Sequence, residues 1–401
     1  MDLIGWVIFI VALLISVMLH ETGHFATAKM FGMKVTRYFI GFGPTIWSTW
    51  RGDTEYGIKA LPLGGFVKIV GMHSLDDPDD PADELDAFRS KPAWQRIIVL
   101  CAGSATHFLL ALLLVFGLAL SVGIANVNTQ LGTVSPCVPA NLKAYDNNTC
   151  TGSDPVSPAK QAGLQAGDVV TALNGKPVTT WDQLSDAILA APAWEPVTIT
   201  VQRHGRLLTL DTTAAAISGR AGSYLGIGPS GAYVFLGTSP LGAIEYAGST
   251  FGQVLVGSAQ AAADLPAALP KLFDGKERAS VTGGQVTSIY GAAQATGAYL
   301  GSNVGWQYKV SFVLLLIASL NIFVGAFNML PLLPMDGGHV AAIIYERIRA
   351  WLARLRGRPD PGLADIGKFL PVSFSLFMVI VCFALVLVAA DIVNPLNITG
   401  G

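Results

Sequence analysis

Apolar residues in this chain gather into four long stretches, residues 3–25, 97–125, 310–330 and 372–393, rather than into the stripes of a water-soluble fold. Each run reaches the length of about twenty residues that a helix needs to cross a bilayer. The pattern predicts a membrane α-helical bundle of about four transmembrane helices, with both termini on one side. The first run has no basic residue before it and no small-residue cleavage site after it, and it ends in His20-Glu21-Thr22-Gly23-His24. It reads as a retained span over residues 1–32, not as a cleaved secretory signal.

After the first run the pattern shortens to strands. Residues 35–40, 45–51, 54–60 and 66–70 are candidates, separated by Gly41-Phe42-Gly43-Pro44, Gly52-Asp53 and Gly64-Gly65. They predict a membrane-associated β-loop over residues 33–72 with an open sheet edge. Asp76, Asp77, Asp79, Asp80, Asp83, Glu84 and Asp86 follow, punctuated by Pro78 and Pro81, and read as a solvated acidic cytoplasmic linker over residues 73–96.

The connection between the second run (97–125) and the third is long enough to hold a domain. Within it, Ser157-Pro158 and the Gly163 to Asp168 stretch lead into apolar residues 169–173 and the turn Asn174-Gly175. A helix candidate at 181–189 and strands at 197–203 and 207–212 follow, turning at His204-Gly205. This order resembles a PDZ domain of α+β class, assigned to residues 126–216. Residues 217–309 read as an amphipathic and linker region, with Ile244, Ala247, Phe251, Val254, Leu255 and Gln260 at helical spacing. The third span with its proline-broken end (310–340), a cytoplasmic loop (341–370) and the fourth span (371–393) complete the chain.

Composition removes the soluble alternative: 52% of the 401 residues are apolar and 13% charged, with a mean hydropathy of +0.51. Basic residues set the orientation. Lys29, Lys34, Arg37, Arg51, Lys59, Lys68, Arg89 and Lys91 in the first loop, and Arg347, Arg349, Arg354, Arg356, Arg358 and Lys368 in the third, put both loops in the cytoplasm and the long second loop outside. Cys137 and Cys150 fall in that outer loop, where an oxidising compartment would allow a disulfide between them. Cys101 and Cys382 lie within apolar runs and read as small buried hydrophobes. The net charge of -2 argues against a nucleic-acid partner.

The chemistry sits where the first run ends. Two histidines four residues apart on a helix present two imidazoles on one face, and the intervening Glu reaches metal-bound water, so His20, Glu21 and His24 read as part of a zinc site. Ionisable groups at a membrane helix end are costly without partners, which strengthens that reading. A catalytic zinc takes a third protein ligand and keeps one position open. The third run ends in Asn328, Pro331, Pro334 and Asp336-Gly337-Gly338-His339, where two prolines unwind the helix, and Asp336 is the candidate ligand. The first and third spans both run from outside to inside, so their carboxyl ends meet at one depth; at about 1.5 Å per residue His20 lies about 25 Å below Leu3.

The His20-to-His24 motif, the Asn328-to-Gly338 segment and the PDZ-like loop together resemble the site-2 protease family, M50-type intramembrane zinc metalloproteases, and more narrowly the bacterial regulator-of-sigma-factor protease group with a single PDZ domain. The resemblance implies Zn2+ held by His20, His24 and Asp336, with Glu21 as the general base. It implies substrate contacts from Asn328 and from the β-loop: Gly41, Phe42, Gly43 and Pro44, and residues 61–68 with Gly64 and Gly65. It implies single-span membrane substrates such as anti-sigma factors, trimmed first by an upstream site-1 protease, in the bilayer of the bacterial cytoplasmic membrane. The chain departs from the family in its second span. There Ala-Gly-Pro and a following Asn are usual, whereas this chain reads Ala102-Gly103-Ser104-Ala105-Thr106-His107.

His107 is expected to be a polar residue satisfied inside the bundle, His339 an interface residue near the ligands, and His73 and His204 surface residues. An edge of the sheet is expected to pair with an unwound substrate, and a proline among residues 54–60 to remove a backbone donor from it. The competing reading is a non-catalytic zinc-containing membrane PDZ receptor or adaptor. Glu21 at the base position and the open fourth metal site speak against it. A metal transporter would need a second intramembrane cluster of metal-binding residues, and the sequence shows none.

Overall fold

The computed structural model describes residues 2–72, 81–146, 149–268, 273, 288–333, 335–359, 361–363 and 370–393. His73, Asp76, Asp77, Pro78, Asp79, Asp80, Pro334 and Lys368, singled out above, lie outside them. Two compact units emerge, Ser121–Thr238 and the remainder of the chain.

The larger unit begins with α1 (Asp2–Met30), two long bent strands β1 (Val35–Arg51) and β2 (Thr54–Ile69), and α2 (Ala93–Ser121). The positive φ of Gly41 and Gly43 bends β1 back on itself. Residues 37–40 then lie between two partners, 55–58 on one side and 65–68 on the other, while 47–51 pair with 54–58. The sheet thus has four segments in the order 65–69, 35–40, 54–58, 45–51. This changes one expectation: residues 55–58 are paired on both sides, so the free edges are the two outer segments.

The described part of the acidic linker keeps Leu85 and Asp86 exposed and is tied to its neighbours by ion pairs. Lys34 bonds Asp83 (2.7 Å), Arg89 bonds Glu84 (2.6 Å) and Lys91 bonds Asp86 (3.0 Å). Backbone bonds from Lys34 to Asp86 and from Phe88 to Val70 fix the segment against the end of the sheet.

The smaller unit opens with β3 (Ile124–Val127) and β4 (Leu131–Val134), followed by short helices α3 (Leu142–Asp146) and α4 (Pro158–Gln161). Next come β5 (Val169–Leu173), β6 (Lys176–Pro177), α5 (Trp181–Ala190), β7 (Pro196–Arg203) and β8 (Arg206–Thr213). It ends with the short strands β9 (Ala215–Ala216), β10 (Ser223–Tyr224), β11 (Ile227–Pro229) and β12 (Tyr233–Leu236).

The main sheet runs β6-β5-β7-β8. Alternation in β7 buries Val197, Ile199 and Val201 beneath Leu184 of α5, a helix capped by Thr180, whose hydroxyl accepts from the Gln183 N–H. Ribbons β3–β12 and β4–β11 carry this PDZ-like α+β unit past residue 216, to Thr238. Cys137 and Cys150 are joined, their Cα atoms 6.0 Å apart. His204 is exposed at the β7–β8 turn.

The larger unit resumes with α6 (Pro240–Ala268), α7 (Ile289–Gly301), α8 (Trp306–Asn328), α9 (Asp336–Leu355) and α10 (Leu370–Val393). Four of the described helices are long and apolar enough to cross a membrane: Gly5–Met30, Ala93–Ser121, Trp306–Asn328 and Ser373–Val393.

Two elements lie where no helix was expected. The segment after the third span is helix α9, which buries Ile343, Glu346 and Ala350. Helix α7 packs on α1 through small residues, with Ala293 and Thr296 buried; a Cβ on Gly5 would stand 2.3 Å from the Gly297 Cα. Ser288 caps α7 and donates its N–H (2.7 Å) and its hydroxyl to Asp391 of α10.

Candidate metal centre

Three helices face one another with polar residues and glycines at every fourth position. Ser16, His20 and His24 share a face of α1, Gly103 and His107 share a face of α2, and Asn321 and Gly325 share a face of α8. The helices come this close because glycine stands at the crossings. A Cβ on Gly23 would lie 2.6 Å from the Ala102 carbonyl oxygen, and one on Gly325 would lie 2.6 Å from the Phe108 ring.

Between them converge three ligand atoms. Nε2 of His20 and Nε2 of His24 are 3.1 Å apart, and Asp336 Oδ2 is 3.3 Å from each. Nδ1 of His24 stands 2.7 Å from the Val99 carbonyl, which only accepts, so this nitrogen carries the proton and Nε2 of the neutral ring turns a lone pair inward. His20 Nδ1 and Asp336 Oδ2 are buried without a hydrogen-bond partner.

A tetrahedral zinc with ligands at about 2.0 Å sets its ligand atoms about 3.3 Å apart, so the triangle fits zinc and leaves a fourth corner. Gly103 lines it closely: a Cβ there would stand 2.4 Å from His24 Nε2 and 2.5 Å from His20 Cε1.

Asp336 reaches the histidines because α8 stops at Asn328 and a tight turn restarts the helix. Leu332 bonds back to Leu330, and Met335 to Leu332. The two glycines after Asp336 let α9 begin against that turn, since a Cβ on Gly337 would be 2.3 Å from the Met329 carbonyl and one on Gly338 2.6 Å from Leu332. The Asp-Gly-Gly sequence is thus a packing requirement.

Glu21 is half-buried and accepts a backbone hydrogen bond from Val67. Gly65 abuts it, a Cβ there lying 3.3 Å from Glu21 Cγ. The sheet edge that reaches the candidate base is therefore the 65–69 segment.

Gly41, Phe42, Gly43 and Pro44 form the bend of β1, and Phe42, 45% exposed, stacks on Phe66. Gly64 sits under the Phe42 ring with φ +146°. Asn328 is the last residue of α8 and is half-buried. His339 is half-buried in the first turn of α9.

Sequence reading expected His107 to be a satisfied polar residue and missed the partners that satisfy it. Nδ1 of His107 is 2.7 Å from Asn321 Oδ1, and Asn321 Nδ2 donates to Ser16 Oγ (3.0 Å) and to the Ile317 carbonyl (2.8 Å). The signal was present: Ser16 precedes His20 by one helical turn, and Asn321 is an amide flanked by apolar residues in the middle of the third span. The His107 ring centre is 5.0 Å from that of His20.

Residues 8–358 match Peptidase family M50. Zinc metalloprotease Rip1 of Mycobacterium tuberculosis is 36% identical over 413 residues, covering 98% of each chain. Rip1 of Mycolicibacterium smegmatis is 35% identical over 419 residues, again covering 98% of each. The PDZ domain of an SdrC-like protein from Listeria monocytogenes is similar over 24% of this chain and 90% of that one, at 20% identity and a TM-score of 0.17.

Proposed function

The chain belongs to peptidase family M50 and is a site-2-type zinc metalloprotease, and from that premise we propose that it cuts single-span membrane proteins within or near the bilayer, using zinc held by His20, His24 and Asp336. The observation that carries this reading is the triangle of Nε2, Nε2 and Oδ2 atoms with edges of 3.1, 3.3 and 3.3 Å. Zinc, when bound there, supplies Lewis acidity.

Glu21 takes a proton from the attacking water as the scissile carbonyl is attacked, and returns it to the leaving amide nitrogen. Its bond from the Val67 N–H holds the carboxylate toward the sheet edge. A membrane helix must be unwound before it is cut, and each amide freed in hydrocarbon costs several kcal/mol unless a partner replaces the lost bond. The outer segment 65–69 offers such partners beside Glu21, with Asn328 and the bend at Gly41, Phe42, Gly43 and Pro44 as further substrate contacts.

The basic residues of the first and third loops support an orientation with those loops in the cytoplasm, the ligand end of α1 near that face and residues 121–238 outside. Resemblance to the sigma-factor regulators supports anti-sigma factors, already trimmed by a site-1 protease, as the substrate class.

The test compares purified wild type with Glu21→Gln on a single-span model substrate. Wild type should cleave, and the variant should keep its zinc and lose turnover. Cleavage by the variant at the wild-type rate would overturn the assignment.

A further inference from the structure

Helix α9 has two apolar faces, and the described part of the bundle covers one of them. Ile343, Glu346 and Ala350 are buried. Val340 and Ile343 cluster with Ala28 near the end of α1 and with Val99 near the start of α2. On another face Ile344, Ile348, Trp351 and Leu355 recur at helical spacing, and they are 47, 51, 59 and 66% exposed. Tyr345 and Leu352 widen this stripe and are exposed as well. At about 3.6 residues per turn, the two faces lie on opposite sides of the helix axis.

Arginines mark the borders between the faces. Arg347 and Arg354 stand on one side of the exposed stripe, and Arg349 and the C-cap residue Arg356 on the other. Arg349 donates to the carbonyls of Pro361, Gly362 and Leu363. Arg347, Arg354 and Arg356 are exposed and have no carboxylate partner among the described residues. Glu346, the acidic residue of α9 besides Asp336, is turned to the buried face and paired with Arg96.

An apolar stripe bordered by arginines fits the boundary between lipid headgroups and acyl chains. Trp and Tyr rings settle at headgroup level, aliphatic side chains reach the acyl carbons, and arginine stems run back to the phosphates. The position of α9 in the chain agrees, because it lies between two spans: α8 ends at Asn328 just before it, and α10 begins at Leu370 after it.

We infer that α9 docks on the headgroup layer of the membrane through Ile344, Ile348, Trp351 and Leu355, and that Arg347, Arg354 and Arg356 make it select anionic phospholipid. On the proposed orientation this is the cytoplasmic leaflet. The contact lies on the same helix as Asp336, one of the candidate ligands, but it does not depend on what Asp336 holds.

The test uses the full-length protein with Cys101 and Cys382 replaced by Ala, which leaves Cys137 and Cys150 in their disulfide. Ile348→Cys or Arg347→Cys supplies a single site for a fluorophore. One chain is placed in each nanodisc of phosphatidylcholine, or of an equal mixture of phosphatidylcholine and phosphatidylglycerol. The two sites are neighbours in sequence but lie about 100° apart around the helix.

Acrylamide in the water should quench the label at 347 several-fold more than the label at 348, and lipid with brominated tails should do the reverse. Phosphatidylglycerol should strengthen tail quenching at 348, and Arg347→Gln, Arg354→Gln and Arg356→Gln combined should abolish that gain. Equal acrylamide quenching at both sites would put the face in water. A label at 348 shielded from both quenchers would mean that protein covers it, and a label indifferent to phosphatidylglycerol would leave the arginines without a lipid role. Each of these three results overturns the inference. If Ile348→Cys disturbs folding on gel filtration, Leu355→Cys on the same stripe gives the same reading.

Discussion

Arg96 in the first turn of α2 bonds Glu346 in the middle of α9 at 3.0 Å, both side chains about nine-tenths buried. Arg96 also lies over the Phe88 ring, 5.2 Å from its centre. The pair joins the helix that backs the two histidines to the helix whose first residue is Asp336.

Breaking a buried pair strands one charge, so Arg96→Leu or Glu346→Leu alone should destabilise the fold by about 3–5 kcal/mol, and the double variant should recover much of that loss. Thermal unfolding of the three variants checks it. Additive losses would show that the two groups act separately.

Two glycines near the site should respond in different ways. Gly103→Ala places a methyl against both imidazoles, so zinc content should fall, although Ala favours a helix by about 1 kcal/mol over Gly. A gain in stability with full zinc content would contradict the geometry.

Gly65→Ala crowds Glu21 Cγ and the Phe39 carbonyl, not the ligands. Turnover should fall with about one zinc per chain retained, read from cleavage rate normalised to metal content. Loss of zinc in this variant would mean that the sheet edge shapes the ligand cluster itself.

Residues 121–238 should be acid-sensitive through Asp168. Burial raises its pKa, but two hydrogen bonds of 2.7 Å from Arg203 and one from the Gln165 N–H outweigh that and hold it below the ordinary carboxylate value. A depressed carboxylate stabilises above its unfolded pKa, about 3.9, and loses that contribution as pH falls through the folded value. Asp168→Asn should lower the melting temperature at pH 7 and narrow its gap to wild type below about pH 4. A gap that stays constant with pH would remove Asp168 as the cause.

The Cys137–Cys150 bond closes a short loop, and its removal should cost about 2–4 kcal/mol. In protein from an oxidising compartment, both thiols should resist alkylation until reduced. Free labelling without reductant would show that the pair is open in solution.

Much of the site was legible in the sequence because its chemistry is local. His20, Glu21 and His24 fall within two helical turns, and the prolines before Asp336 announce the broken helix. The four sheet segments were readable from the glycines between them, but not their order: which segment is an edge depends on how β1 folds back at Gly41 and Gly43. Helix α7 was not legible. Its Ala, Gly and Thr residues carry little hydropathy, and its value lies in fitting a neighbour closely. Helix α9 was hidden by its arginines, which mark a loop on the positive-inside rule while Ile343 and Ala350 supply a buried face. The strands beyond residue 216 are two to four residues long, too short for alternation to show.

The cap that Asp391 gives to α7 has a practical consequence for mapping this protein's topology. Reporter fusions made by truncating the chain assume that each upstream segment holds its place when the rest is removed. Here a fusion point before residue 391 deletes the acceptor of the Ser288 N–H and hydroxyl, and α7 in turn braces the half of α1 that precedes the histidines. Truncated fusions would therefore report on an altered first helix, and sandwich insertions that keep the last helix intact are the sounder way to find which side each loop occupies.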